Sequence, residues 1–61
     1  MSNTERELRT QIVHERAMRI KDYDDAYPDV GMGMGWGSCV AEAVKQLGYT
    51  EEQFDRKKLF E

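Results

Sequence analysis

The chain has 61 residues, with nine Lys and Arg against twelve Asp and Glu, a formal net charge of −3 and a hydrophobic fraction of 39%. A length of this order is that of one small domain and is too short for barrel or doubly wound enzyme architectures or for a core that also encloses a substrate. The acidic balance disfavours autonomous binding to a phosphate backbone, and the single cysteine, Cys39, excludes an intramolecular disulfide.

The first predicted element is a helix over residues 4–21, extending at most to Ala26, because the stretch lacks Gly and Pro and is rich in Arg, Glu, Leu, Met and Ala. Asn3 or Thr4 is placed to cap it, and Glu5 and Glu7 fall in the first turn, where the helix dipole favours negative charge. At 100° per residue, Leu8, Ile12, Val13, Ala17, Ile20 and Tyr23 share one half of this helix, which is the expected core face. Arg9 and Arg16 project from the same half, so their stems are expected to cover the core edge or their heads to meet the Asp cluster downstream.

Residues 22–37 are predicted to be a connector. Charge changes there: residues 1–21 hold five basic and three acidic groups, whereas residues 22–35 hold only the acids Asp22, Asp24, Asp25 and Asp29. The same connector carries the only proline and four of the five glycines, with Gly31, Gly33, Gly35 and Gly37 alternating with Met32, Met34 and Trp36. In an extended segment, period two sends Met32, Met34 and Trp36 to one face and leaves bare backbone on the other. Trp is a common interface anchor and Met adapts to repacking surfaces, so one expectation is a protein-binding ribbon formed with Tyr23 and Tyr27. The four aspartates would then steer a basic partner. The competing expectation is that these side chains fold back to complete the chain's own small core. A phosphate-cradling loop is not expected, because no Lys follows the glycines and the aspartates would repel an anion.

Two shorter helices complete the expected fold. Val40, Ala43, Val44 and Leu47 recur at helical spacing within 38–47, and Gly48 supplies a left-handed closing residue. Thr50 and Gln53 form a capping-box pattern, with Tyr49 and Phe54 as a hydrophobic staple, which predicts a third helix over 51–60. The stretch Ala43 to Phe54 resembles a helix-turn-helix, which would imply base contacts from the start of the second helix, but Glu51 and Glu52 there have the wrong sign to face DNA. Leu47, Gly48, Tyr49 and Thr50 resemble the helix-loop-helix junction of ubiquitin-associated domains, over four residues and without that family's third helix.

Chemistry-bearing residues are few. Cys39 in the first turn of the second helix and the only histidine, His14, are the one Cys and His available for a nucleophilic pair, and nothing in their spacing joins them. His14–Glu15 lacks the second His of a zinc helix, and the Asp cluster lacks the ligand spacing of a calcium loop, so neither a metal nor another cofactor is expected. The residues therefore predict an all-α, single-domain unit of three helices, with a long N-terminal helix, a Gly/Met-rich connector and a C-terminal helical hairpin. The expected function is that of a non-enzymatic, cytoplasmic protein-binding module, an inhibitor or adaptor of the small accessory kind found on phages and mobile elements. Contact would run through Tyr23, Tyr27, Met32, Met34 and Trp36 with a protein partner, and no membrane segment is expected. Two other classes fit less closely: a dimeric helix-turn-helix-like nucleic-acid regulator, and a structural subunit that folds on self-association as a homodimer.

Overall fold

A run of 24 residues without Gly or Pro forms the first helix of the computed structural model, α1, Asn3–Ala26, about 36 Å long at 1.5 Å per residue. The structure describes residues 3–27 and 35–60. Two i,i+4 ion pairs support α1 near its ends, Glu5 with Arg9 and Lys21 with Asp25, both at 3.2 Å. Tyr27 follows the helix, and the proline at position 28 disfavours helical geometry at that residue. Asp22, Asp24 and Asp25 thus belong to α1 and not to the connector predicted over 22–37.

The second helix, α2, Trp36–Leu47, starts two residues ahead of its predicted boundary. Gly35 is its N-cap, with φ −76° and ψ 172°, and accepts the first helical bond from the Cys39 amide at 3.0 Å. Gly48 ends the helix as expected. Its φ of 73° is left-handed, its amide donates to Val44 and Lys45 carbonyls, and the Tyr49 amide reaches back to Val44 at 3.3 Å. That is the Schellman pattern, in which a glycine adopts a backbone that costs a residue with a Cβ about 1–2 kcal/mol.

The structure corrects the predicted third α-helix. Residues 51–54 form a turn, and a 3-10 helix, Arg56–Phe60, follows. Half of the capping box does form, since the Thr50 amide donates to Gln53 Oε1 at 2.9 Å. Propagation then stops because Phe54 and Leu59 must both be buried, at 0% and 5% exposure. Five residues apart on an α-helix they would point about 140° from one another, whereas a turn followed by a tighter helix brings both to one side. Asp55 makes the break: its amide donates to Thr10 Oγ at 2.8 Å, its carboxylate accepts from the Lys57 amide at 3.2 Å, and its carbonyl accepts from the Lys58 amide at 3.2 Å.

The fold is all-α: α1 and α2 side by side, with the C-terminal segment closing one edge. Its core is Val13, Ala17, Cys39, Val40, Ala43, Phe54 and Leu59, flanked by Ile20, Trp36, Val44, Leu47 and Tyr49. On α1 the buried stripe runs Thr10, Val13, Ala17, Ile20, Asp24, at spacings of three and four. Ala17 and Ala43 keep the two helices close. This corrects the predicted core face, for Leu8, Ile12 and Tyr23 are 54%, 42% and 59% exposed. The predicted half-helix holds more apolar surface than the short α2 and the C-terminal segment can cover, and they cover the edge that carries small side chains. The Cα trace measures 45 × 22 × 13 Å, the thickness of one layer of helices, and among the described residues no element packs on the outward face of α1.

Candidate functional site

The indole of Trp36 lies within the chain's own core edge. It stands at the first position of α2, half-buried, and its Nε1 donates to the Leu59 carbonyl at 2.6 Å. Its ring meets His14 edge to face, with centroids 5.4 Å apart at 64°. These contacts join α1, α2 and the 3-10 helix, so Trp36 takes part in the internal packing. Met32, Met34 and Asp29, the other connector residues of the expected contact, lie outside the described residues.

Tyr23 and Tyr27 sit at the C-terminal end of α1, exposed, with ring centroids 4.8 Å apart at 42°. The tilted contact of two rings four residues apart makes them a single exposed aromatic surface. Of the aspartates expected to steer a partner, Asp22 is exposed and Asp25 is held by Lys21, whose pKa is raised by that hydrogen bond and by the carboxylate charge. Asp24 is 8% exposed, so it belongs to the packed face of α1 and contributes little to a field in solvent. Arg9 and Arg16 do not reach this cluster. Arg9 donates to the Gln53 carbonyl and to Glu5, both at 3.2 Å, and Arg16 donates to Gln46 Oε1 at 3.4 Å. Their stems cross the core edge and tie α1 to the elements beside it.

Exposed apolar side chains are spread around the outward half of α1 and continue onto Tyr27. Leu8, Ile12, Met18, Tyr23 and Tyr27 are 42–59% exposed, and among the described residues only Phe60 joins them as a large exposed hydrophobic. Glu15 and Arg19 occupy the middle of this face. Beside them is a shallow depression of about 110 Å³ lined by Ile12, Glu15, Arg16 and Arg19. A larger open groove of about 470 Å³ runs between α1 and the C-terminal segment, lined by Glu7, Thr10, Gln11, His14, Glu15, Lys58 and Leu59. Lys58 and Glu7 pair across it at 3.7 Å, and it is polar at its rim.

Cys39 is fully buried, and burial pushes its thiol pKa up. His14 is engaged with the Trp36 ring. Among the described residues no group of three or more His, Cys, Asp or Glu side chains is placed to hold a metal ion, and no helix is long and apolar enough to cross a membrane.

Sequence reasoning missed two features. Thr10 is a buried polar lock, its hydroxyl donating to the Arg6 carbonyl while accepting from the Asp55 amide, both at 2.8 Å. The second is the exposure of Leu8 and Ile12, for which the only signal was an excess of apolar positions over the width of one helix stripe. Comparison of the chain with protein-family models, with characterised proteins and with solved structures finds no match.

Proposed function

We propose that this chain is a non-enzymatic protein-binding module, a small accessory adaptor or inhibitor, whose contact surface is the outward face of α1 with the Tyr23–Tyr27 pair at its end. One observation carries this reading: four large apolar side chains of α1, Leu8, Ile12, Met18 and Tyr23, and Tyr27 just after it stand 42–59% exposed, against seven buried hydrophobic residues among the described residues. A small chain gains stability from every apolar residue it buries, so apolar surface left exposed along α1 supports a role in contact. Tyr supplies rigid, amphipathic contact area, which favours the tyrosine end as the anchor. Trp36 falls outside this surface, since its hydrogen bond to Leu59 serves the fold. The turn that replaces a second helix after Gly48 leaves no recognition helix, which weighs for protein contact over the nucleic-acid reading.

The test is position-specific photo-crosslinking in the producing cell, with a photoreactive residue replacing Ile12 on the outward face or Lys45 on the far side of α2. The reading expects protein adducts from position 12 that vanish on Leu8→Glu substitution and are absent from position 45. Equal yields at both positions, or none at position 12, would contradict it.

A further inference from the structure

We propose that the occupant of the outward α1 face is a second copy of this chain, packed antiparallel about a two-fold axis level with residue 17. The proposal rests on the preceding reading of that face as a contact surface and names its partner.

The order of side chains along the face carries the argument. Leu8 and Ile12 are apolar, Glu15 is acidic, Arg19 is basic, and Tyr23 and Ala26 are apolar again. At 100° per residue these six lie within about 80° of arc, one stripe of the helix. Reversing the order exchanges acid for base and returns apolar for apolar. An antiparallel copy related by a two-fold axis therefore sets Glu15 against Arg19 of the second copy, Ile12 against its Tyr23 and Leu8 against its Ala26. Each of these contacts occurs twice, as an isologous interface requires. A parallel copy would set Glu15 against Glu15 and Arg19 against Arg19, so charge selects the antiparallel arrangement.

The ion pairing within α1 points the same way. Glu15 and Arg19 are four residues apart with the acid on the N-terminal side, the spacing and order that favour an intrahelical pair. Glu5 and Arg9, in the same order, do pair at 3.2 Å, and so do Lys21 and Asp25 in the reverse order. The side chains of Glu15 and Arg19 form neither an ion pair nor a hydrogen bond among the described residues, and both are exposed. They are the one matched acid and base on α1 available to a symmetric partner at the centre of the stripe. A shallow depression lined by Ile12, Glu15, Arg16 and Arg19 lies at the centre of the stripe.

Sedimentation equilibrium of the full chain tests the proposal, with circular dichroism as the check that each variant folds. Wild type is expected to dimerise. Glu15→Arg and Arg19→Glu, each placing like charges across the axis, should each weaken the dimer at least about tenfold. Mixing the two single variants should produce a heterodimer, and the double reversal Glu15→Arg/Arg19→Glu should restore a dimer within about threefold of wild type, since the same pairs form with their ends exchanged. Wild type that remains monomeric at about 1 mM, where even a millimolar interface would be substantially formed, overturns the proposal. So does a dimer whose dissociation constant is unmoved by the single reversals, or one that the double reversal fails to restore. Failure here with adducts still formed at position 12 would remove the second copy and leave the contact face intact, whereas failure of both would remove the face itself.

Discussion

Replacing Thr10 by Val probes the lock that holds the C-terminal segment on α1. The two side chains are nearly the same size, and Thr10 is 6% exposed, so packing is preserved while the hydroxyl is lost. The Arg6 carbonyl keeps its place at the helix backbone, but the Asp55 amide loses the acceptor it holds at 2.8 Å. An amide left without a partner in a part-buried site costs about 1–3 kcal/mol. Against a total of about 3–9 kcal/mol for a chain of this size, that is a large fraction. With an unfolding entropy near 2.1 cal/mol/K per residue, each kcal/mol moves the midpoint by about 8 °C, so Thr10→Val should lower Tm by about 8–24 °C. Thermal melts at fixed protein concentration measure the loss, and amide hydrogen exchange locates it: the Asp55 amide should exchange faster in the variant by a factor larger than that of core amides on α2. A melting point within about 2 °C of wild type, together with unchanged exchange at Asp55, would refute the reasoning.

Other expectations follow from the same contacts. Trp36→Phe keeps a ring against His14 but removes the donor to Leu59, which should cost about 1 kcal/mol and loosen the Arg56–Phe60 amides ahead of those of α2, as read by hydrogen exchange. Native Cys39 should resist alkylation by iodoacetamide at neutral pH and react at the full rate in denaturant, because the folded thiol is buried and its pKa is raised. The same shift sets a pH dependence. The unfolded thiol ionises first, so the stability that Cys39 contributes is complete below its unfolded pKa of about 8.5 and is lost as pH rises through the folded value. Urea titrations at pH 7 and pH 10 should show a fall in stability that is smaller in Cys39→Ala.

The parts of the fold that local rules control were legible in the residues. The amphipathic repeat of Val40, Ala43, Val44 and Leu47, closed by Gly48, marked α2 and its Schellman end, because both are settled by residues close together in sequence. The absence of Gly and Pro marked α1 as a long helix, which runs to Ala26 and so past the predicted start of the connector at residue 22, and its buried face was legible only in part. Val13, Ala17 and Ile20 of its packed stripe lie in the expected half, whereas Thr10 and Asp24 are buried positions that no apolar pattern marks. The C-terminal segment shows a local signal overruled: the bond from the Thr50 amide to Gln53 forms, yet burial of both Phe54 and Leu59 ends the helix before it starts. Trp36 is the clearest non-local case. Its alternation with glycines suggested an extended ribbon, whereas a carbonyl 23 residues away decides its position. Of the expected contact, Tyr23 and Tyr27 are on the surface, and Leu8, Ile12, Glu15 and Arg19 join them only once the place of α2 is known.

The claim that contact runs through the outward face of α1 and not through Trp36 can be tested in a single series of nitrogen and carbon correlated NMR spectra recorded across a concentration range. The account predicts that the Leu8 and Ile12 methyl signals, the Arg19 guanidinium and the Tyr23 ring shift together with concentration, while the Trp36 indole N–H, held on the Leu59 carbonyl, stays in place. A moving indole signal with a still α1 face would contradict it.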